Sequence, residues 1–348
     1  MIMQEDREVT IYDIAKYLNI SAATVSRGLK NNPMISKQTR KKISDAANLL
    51  GYQSNTFASS LRSRQTHTLG VLVPRLNSHF MSSALAGMEN AANAHGYNLI
   101  IAQSLEEVEK EKRNVLTMYN KRVDGLLISL SANATDIAHL EPFFKRKIPV
   151  VFFDRVHPHA ESTAVGIDNY DAAYQITQHL IAQGCKRILH LGGNLLRNVY
   201  AERFRGYKKA LKEHRLPFSA SLHLVSNLSE QAGAEAARYI LELPPAQRPD
   251  AVFSANDTAA VYCMLALQAA GLRIPEDIAF AGFNNDPISK VIAPNLTTMN
   301  YSGEAVGHTA VSHLINHLKG TSALYDTNAI TLRADLIIRA SSLKRGAS

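Results

Sequence analysis

The sequence predicts an α/β protein carrying a small all-helical head, and three observations carry that prediction. A basic stretch near the N-terminus has the spacing of two short helices joined by a tight turn. From Leu69 onward, short apolar runs alternate with amphipathic helices. Several of those helices end in a glycine just before the next run, as in His95-Gly96-Tyr97, Gln183-Gly184-Cys185 and Ala270-Gly271-Leu272. The chain has 348 residues, 46% hydrophobic and 20% charged, with 18 Gly and 12 Pro, which excludes a disordered or collagen-like chain. No apolar run is long enough to cross a bilayer, so no membrane partner is expected. Met1–Asp6 has no apolar core, so no signal peptide is expected. Cys185 and Cys263 form no ligand cluster, and the cytoplasm is the expected compartment.

The head comes first. Thr10 caps a helix, with Asp13 three residues on imitating a capping box, and Ile11, Ile14, Ala15 and Leu18 share one face. Asn19 tolerates the left-handed conformation that a tight turn needs. Ser21 caps a second helix, Ala22 to Leu29. Ser36 caps a third, which runs to about Leu50 and ends at Gly51. Between Val9 and Thr66 nine basic residues face only Asp13 and Asp45, a net charge of +7 out of +8 for the whole chain. A basic helix-turn-helix on a nearly neutral body reads as a DNA-binding module; the competing readings are an ordinary three-helix bundle and a solvated basic face.

Thr10-Ile11-Tyr12-Asp13-Ile14-Ala15, Ser21-Ala22-Ala23-Thr24-Val25-Ser26-Arg27 and Gly51-Tyr52-Gln53-Ser54-Asn55 resemble the headpiece of the LacI/GalR family of bacterial repressors. The resemblance runs over nearly the whole chain. It implies a helix-turn-helix headpiece over 8–53, a hinge helix and linker over 54–67, and an effector-binding and dimerisation domain over 68–348. It places Ala22, Ala23 and Arg27 at base-reading positions of a helix that enters the major groove. Arg27 is suited to bidentate bonding of a guanine, and the alanines to methyl contacts. Thr10, Ser21, Thr24, Ser26, Ser36 and Thr39 are suited to phosphate contacts. Lys30, where the family more often has Asn, would face phosphate as a point charge. In the hinge, Asn55, Ala58 and Leu61 are the expected DNA contacts, with Leu61 wedged between base steps. From its residues alone, that Ser-rich segment reads as a plain linker.

The body's apolar runs are Leu69–Val73, Asn98–Ala102, Gly125–Ser129, Val150–Phe153, Ile188–Leu191, Ala251–Ser254 and Ile278–Phe283. Their alternation with helices predicts parallel sheets covered on both faces, and its length predicts two lobes. The resemblance implies the two-lobed periplasmic-binding-protein fold. One lobe is expected over 68–166 with 300–328, the other over 167–298 with the C-terminal tail, closed by a strand at Leu336–Arg339. Ligands of such folds bind beyond the carboxyl ends of strands. There the resemblance places Phe80, Asp154, Arg155, Arg197, Arg203, Asn256, Asn284 and Tyr301 as effector contacts. The bland alternatives are a structural Asp154–Arg203 ion pair, a core Phe80 and a merely solvated Arg205. Asn284 stands where many relatives have Asp, which with Arg155, Arg197, Arg203 and Arg205 makes the cleft more positive and an acidic or phosphorylated sugar plausible as ligand.

No enzyme motif occurs: Gly192-Gly193 is no dinucleotide fingerprint, and there is no phosphate loop, nucleophile elbow or H-E-x-x-H. His157 and His159, two apart in a Pro-containing loop, read as surface residues. No catalytic residue, cofactor or metal is expected. The expected protein is a homodimeric transcription regulator that binds double-stranded operator DNA and answers to a small-molecule effector: a sugar, sugar acid or sugar phosphate. The alternatives are a regulator whose main effector is a phosphorylated partner protein, and an enzyme fused to a DNA-binding head.

Overall fold

Contacts within the chain gather into two units, Met1–Thr66 and His67–Ser348. The computed structural model describes residues 9–52, 65–322 and 324–344, so the hinge positions Asn55, Ala58 and Leu61 lie outside the described residues.

The head contains α1 (Ile11–Leu18), α2 (Ala22–Leu29) and α3 (Lys37–Leu49). Thr10 opens α1 as its sequence suggests: its N–H and its hydroxyl both donate to the Asp13 carboxylate, at 2.8 and 2.6 Å. Asn19 closes α1 at φ 52°, and the next N–H, from Ile20, returns to the Ala15 carbonyl at 3.0 Å. This turn swings α2 across α1. Ile14, Val25 and Ile43, one from each helix, are fully buried together and form the head's core with Ala15, Ala46 and Ala47.

The body contains, in chain order, β1 (Thr68–Val73), α4 (His79–Ala94), β2 (Asn98–Gln103), α5 (Val108–Asn120), β3 (Gly125–Ile128), α6 (Glu141–Lys145), β4 (Val150–Phe153) and β5 (Ser162–Ile167). There follow α7 (Asn169–Ala182), β6 (Ile188–Gly192), α8 (Asn198–Glu213), β7 (His223–Val225), α9 (Glu230–Glu242), β8 (Ala251–Ser254), α10 (Asp257–Ala269) and β9 (Ala279–Phe283). The chain closes with α11 (Ile288–Val291), β10 (Thr297–Asn300), α12 (Gly303–Leu318), β11 (Ala329–Leu332) and β12 (Asp335–Ile337).

Two six-stranded sheets result, ordered β11-β5-β4-β3-β1-β2 and β12-β10-β9-β8-β6-β7. Their pairings are parallel except that β12 runs antiparallel to β10. Both faces of each sheet are covered, which is why the central strands are apolar on both sides. The first lobe extends slightly beyond the expected ranges, because β11 pairs with β5 at its edge. The chain passes between lobes three times: after β5, after β10 and between β11 and β12.

Helix pairs approach closely where a glycine faces a backbone. A Cβ on Gly307 of α12 would run into the Ala84 carbonyl of α4, and one on Gly206 of α8 into the Tyr170 carbonyl of α7.

Candidate functional site

In the head, the positions assigned to DNA lie on helix N-termini and along α2. Ser21 and Ser36 make the same cap. Each hydroxyl accepts the N–H of the threonine three residues on at 3.1 Å and pairs with that threonine's hydroxyl at 2.8 Å. Ser21–Thr24 and Ser36–Thr39 therefore present paired hydroxyls beside free helix-start amides, an arrangement suited to a phosphate oxygen. Thr10 differs, since its hydroxyl is engaged by Asp13. Along α2, Ala23, Arg27 and Lys30 are exposed and Ser26 is half-buried, whereas Ala22 packs against the head's core. Arg27 folds back along its helix, with Nε donating to the Ala23 carbonyl at 3.3 Å. Extended, it is the longest donor on that face.

The body's cleft lies where the carboxyl ends of both sheets meet. It has a volume of about 520 Å³ and is bordered from the first lobe by the loop after β1 and by Glu106 and Arg155. Tyr200, the loop before α9, Asn256 and Asn284 border it from the second. Of the eight expected effector residues, Arg155, Asn256 and Asn284 line it directly. Asn256 also holds the local backbone. Its side-chain carbonyl caps α10 by accepting the Ala259 N–H at 2.9 Å, and its amide donates to the Leu228 carbonyl at 2.8 Å.

The other five are not among the residues bordering this cleft. Four of them form a buried group around the passage between lobes. Asp154 follows β4 at φ 56° and accepts the Tyr301 hydroxyl at 3.3 Å; Tyr301 in turn packs on Phe80 with ring centroids 4.4 Å apart. Burial pushes the Asp154 carboxyl above its ordinary range, against the pull of Arg155 and Arg203. Arg203 is almost fully buried. Nε donates to Asn169 at 2.9 Å, Nη1 to the Ala255 carbonyl at 2.7 Å, and its plane lies 3.6 Å over the Phe283 ring centre. It acts on Asp154 as a nearby charge rather than as a hydrogen-bonded ion-pair partner. The fifth, Arg197, is also buried and donates to the Ala134 carbonyl across the lobes.

The expectation of a positive cleft needs correction. Arg155 is answered by Glu106, whose two oxygens accept from Nη1 at 3.0 and 2.8 Å; Arg75 approaches the same carboxylate at 3.8 Å. Arg205 is exposed and pairs with Glu202 at 2.7 Å. Arg197 and Arg203 face protein carbonyl groups. The cleft therefore holds opposed charges and many neutral polar groups, not an excess of cations.

Sequence reasoning missed a bridge between the lobes. The segment 194–200 of the second lobe reaches the first at several points. Asn194 donates to the Ala132 carbonyl at 3.3 Å and to the Asn133 side chain at 3.1 Å. Asn198 accepts the Val156 N–H at 2.9 Å and donates to the Asp154 carbonyl at 3.3 Å. Arg155 donates to the Tyr200 hydroxyl at 3.2 Å. Of this segment the sequence pointed only to Arg197, as an expected effector contact.

Comparison with known proteins matches both units. Residues 10–55 match the family profile of bacterial regulatory proteins of the lacI family, and residues 66–340 that of periplasmic binding proteins and the sugar-binding domain of the LacI family. Catabolite control protein A of Priestia megaterium is 33% identical over 311 residues, 89% of this chain and 92% of its own. The HTH-type transcriptional repressor PurR of Aliivibrio fischeri (strain MJ11) is 30% identical over 338 residues, 97% of this chain and 99% of its own. Among solved structures, the lac repressor dimer bound to operator and the anti-inducer ONPF superposes with a TM-score of 0.85 at 26% identity, covering 97% of this chain and all of that one. The transcriptional regulator CelR in complex with cellobiose superposes with a TM-score of 0.72 at 25% identity, covering 96% of this chain and all of that one. With a helix-turn-helix head and a two-lobed effector domain both matched, the chain belongs to the LacI family of DNA-binding transcriptional regulators.

Proposed function

We propose that this regulator is a cytoplasmic, homodimeric repressor without enzymatic activity. Residues 8–53 read the operator, 54–67 form the hinge, and 68–348 bind the effector and dimerise. Arg27 and Ala23 read bases from the exposed face of α2, with Ala22 contributing the part of its methyl that the head's core leaves free. The paired hydroxyls of Ser21–Thr24 and Ser36–Thr39 hold phosphates, joined by Thr10, Ser26 and Lys30, and Asn55, Ala58 and Leu61 contact DNA from the hinge. A small sugar binds between the lobes against Arg155, Asn256 and Asn284, while Asp154, Arg203, Phe80, Tyr301 and Arg197 set the geometry of the cleft wall. The observation that carries this reading is the polar cleft at the carboxyl ends of two sheets, in the same chain as an exposed guanidinium on a helix-turn-helix. Two solved neighbours support it: one is a complex with cellobiose, the other is bound to operator with an anti-inducer.

The test begins with selection of an operator from random duplexes, followed by the Arg27→Ala variant. Loss of about 1–3 kcal/mol on the selected site, with relaxed preference at one base pair per half-site, is expected. Equal weakening on selected and random DNA would make Arg27 a phosphate contact. Sugars are then titrated into the operator complex. If no sugar alters affinity but a phosphorylated protein does, the effector is a partner protein.

A further inference from the structure

Asp286 lies in the loop after β9, and its backbone is fixed from both sides. Its N–H donates to the Asp257 carboxylate at 2.7 Å, and its carbonyl accepts the Ser289 hydroxyl at 2.7 Å. The two preceding residues, Asn284 and Asn285, both sit at positive φ, 106° and 58°. The chain thus turns sharply and brings Asp286 to the border of the cleft, alongside Asn284 and Thr258 and together with Ser78 and His79 of the first lobe. The residue is 6% exposed, and its Oδ1 has no hydrogen-bond partner. A buried carboxylate oxygen left without a donor is costly, and native structures seldom tolerate one without a reason. Burial pushes this carboxyl up to about 6, against the pull of His79 and of the Asn284 side chain. The cleft's arginines do not answer it, since Arg155 and Arg75 both lie on Glu106.

We propose that Asp286 is a specificity-determining residue whose free oxygen accepts a hydrogen bond from the effector, so that the cleft selects a ligand presenting a hydroxyl or an ammonium group there and rejects one presenting a carboxylate. This rests on the reading of the cleft as the effector site, and it names the class of effector: a neutral or amino sugar rather than a sugar acid. It also explains how the cleft keeps a carboxylate although Asn stands at 284. The carboxylate enters from two residues further along, through a turn that both left-handed asparagines make.

The full-length protein is titrated calorimetrically at pH 7.5 with D-glucose, D-glucosamine and D-gluconate, which share a carbon skeleton and differ as hydroxyl, ammonium and carboxylate carriers. The wild type is expected to bind glucosamine or glucose at least about tenfold more tightly than gluconate, the ratio that one charge-assisted hydrogen bond supplies. Asp286→Asn should reduce that ratio about tenfold while the protein stays folded. A preference for gluconate, equal affinities, no binding of any of the three, or ratios unchanged in Asp286→Asn would overturn the inference. Gln231→Trp, which fills the cleft mouth from α9, separates this from the underlying reading. If it abolishes sugar binding while Asp286→Asn changes nothing, the cleft is the effector site and Asp286 is not its selector. If sugars bind undiminished to Gln231→Trp, the cleft itself is misassigned and the inference falls with it.

Discussion

Arg203 has two obligations that its sequence position alone does not reveal. Its Nε and Nη1 satisfy Asn169 and the Ala255 carbonyl, and its flat face covers Phe283. Arg203→Ala should therefore cost about 1–3 kcal/mol of stability in urea unfolding before any effector is added, because two buried acceptors lose their donors. It should also abolish the effector response; a variant of normal stability would remove the structural part of this account. Asp286 yields a dependence on pH. Its folded-state value of about 6 lies above the ordinary 3.8, so the folded chain holds the proton more tightly than the unfolded one. Its contribution favours folding below about pH 4, declines as the pH rises to about 6, and leaves a destabilising carboxylate above that. The neighbouring groups are Asp257, which repels the charge, and His79 and Asn284, which favour it. Asp286→Asn should raise stability at pH 7.5 by roughly 1–3 kcal/mol and leave it unchanged at pH 4. Equal shifts at both pH values would show that the carboxyl does not titrate in this way.

At the scale of elements, legibility followed the strength of local signals. The caps at Thr10, Ser21 and Ser36 and the left-handed Gly51, Gly96, Gly184 and Gly271 were readable because each is decided within a few residues. Strands buried on both faces were readable as apolar runs. β5, with Ser162, Thr163 and Gly166, β7 with three residues, and the polar β10 and edge β11 carried no such run. In the cleft, Arg155, Asn256 and Asn284 were legible only through the family resemblance, although each stands just past an apolar strand. Glu106 was not, because it sits in an irregular loop where Leu105 and Glu106 both have positive φ, and only the fold brings it to Arg155. Asp286 stood in plain view beside Asn284, but nothing local says that its oxygen ends without a partner. The crossing of α4 and α12 gives the prediction at this scale. Gly307→Ala places a methyl against the backbone of α4, where no flexible side chain can yield, and should lower stability by about 1–3 kcal/mol by thermal or urea denaturation. A neutral substitution would mean that the two helices separate more easily than their packing implies.

The molecule as a whole is built from two sheets with the same strand order, each with its switch point facing the other across the cleft. The chain passes three times between them, and Tyr301, Phe80 and Asp154 pack together around that passage. The bridge from Asn194 to Tyr200 joins the lobes through direct hydrogen bonds. Asn198→Ala removes two of its bonds and leaves the sheets untouched. A larger radius of gyration by X-ray scattering is expected for the variant, together with a changed operator affinity before any sugar is added. An unchanged radius and affinity would leave the bridge without influence on lobe position.

That bridge also sets the terms on which any effector acts. A ligand moves a two-state protein only by the difference in its affinity for the two arrangements, and each tenfold change in their ratio requires about 1.4 kcal/mol of that difference. Hydrogen bonds that already join the lobes weight the starting ratio towards the arrangement in which they form. A sugar that prefers that arrangement then finds most molecules competent and binds with almost its full intrinsic affinity, but it changes the population little. One that prefers parted lobes must first overcome the bridge, and it acts as the steeper switch.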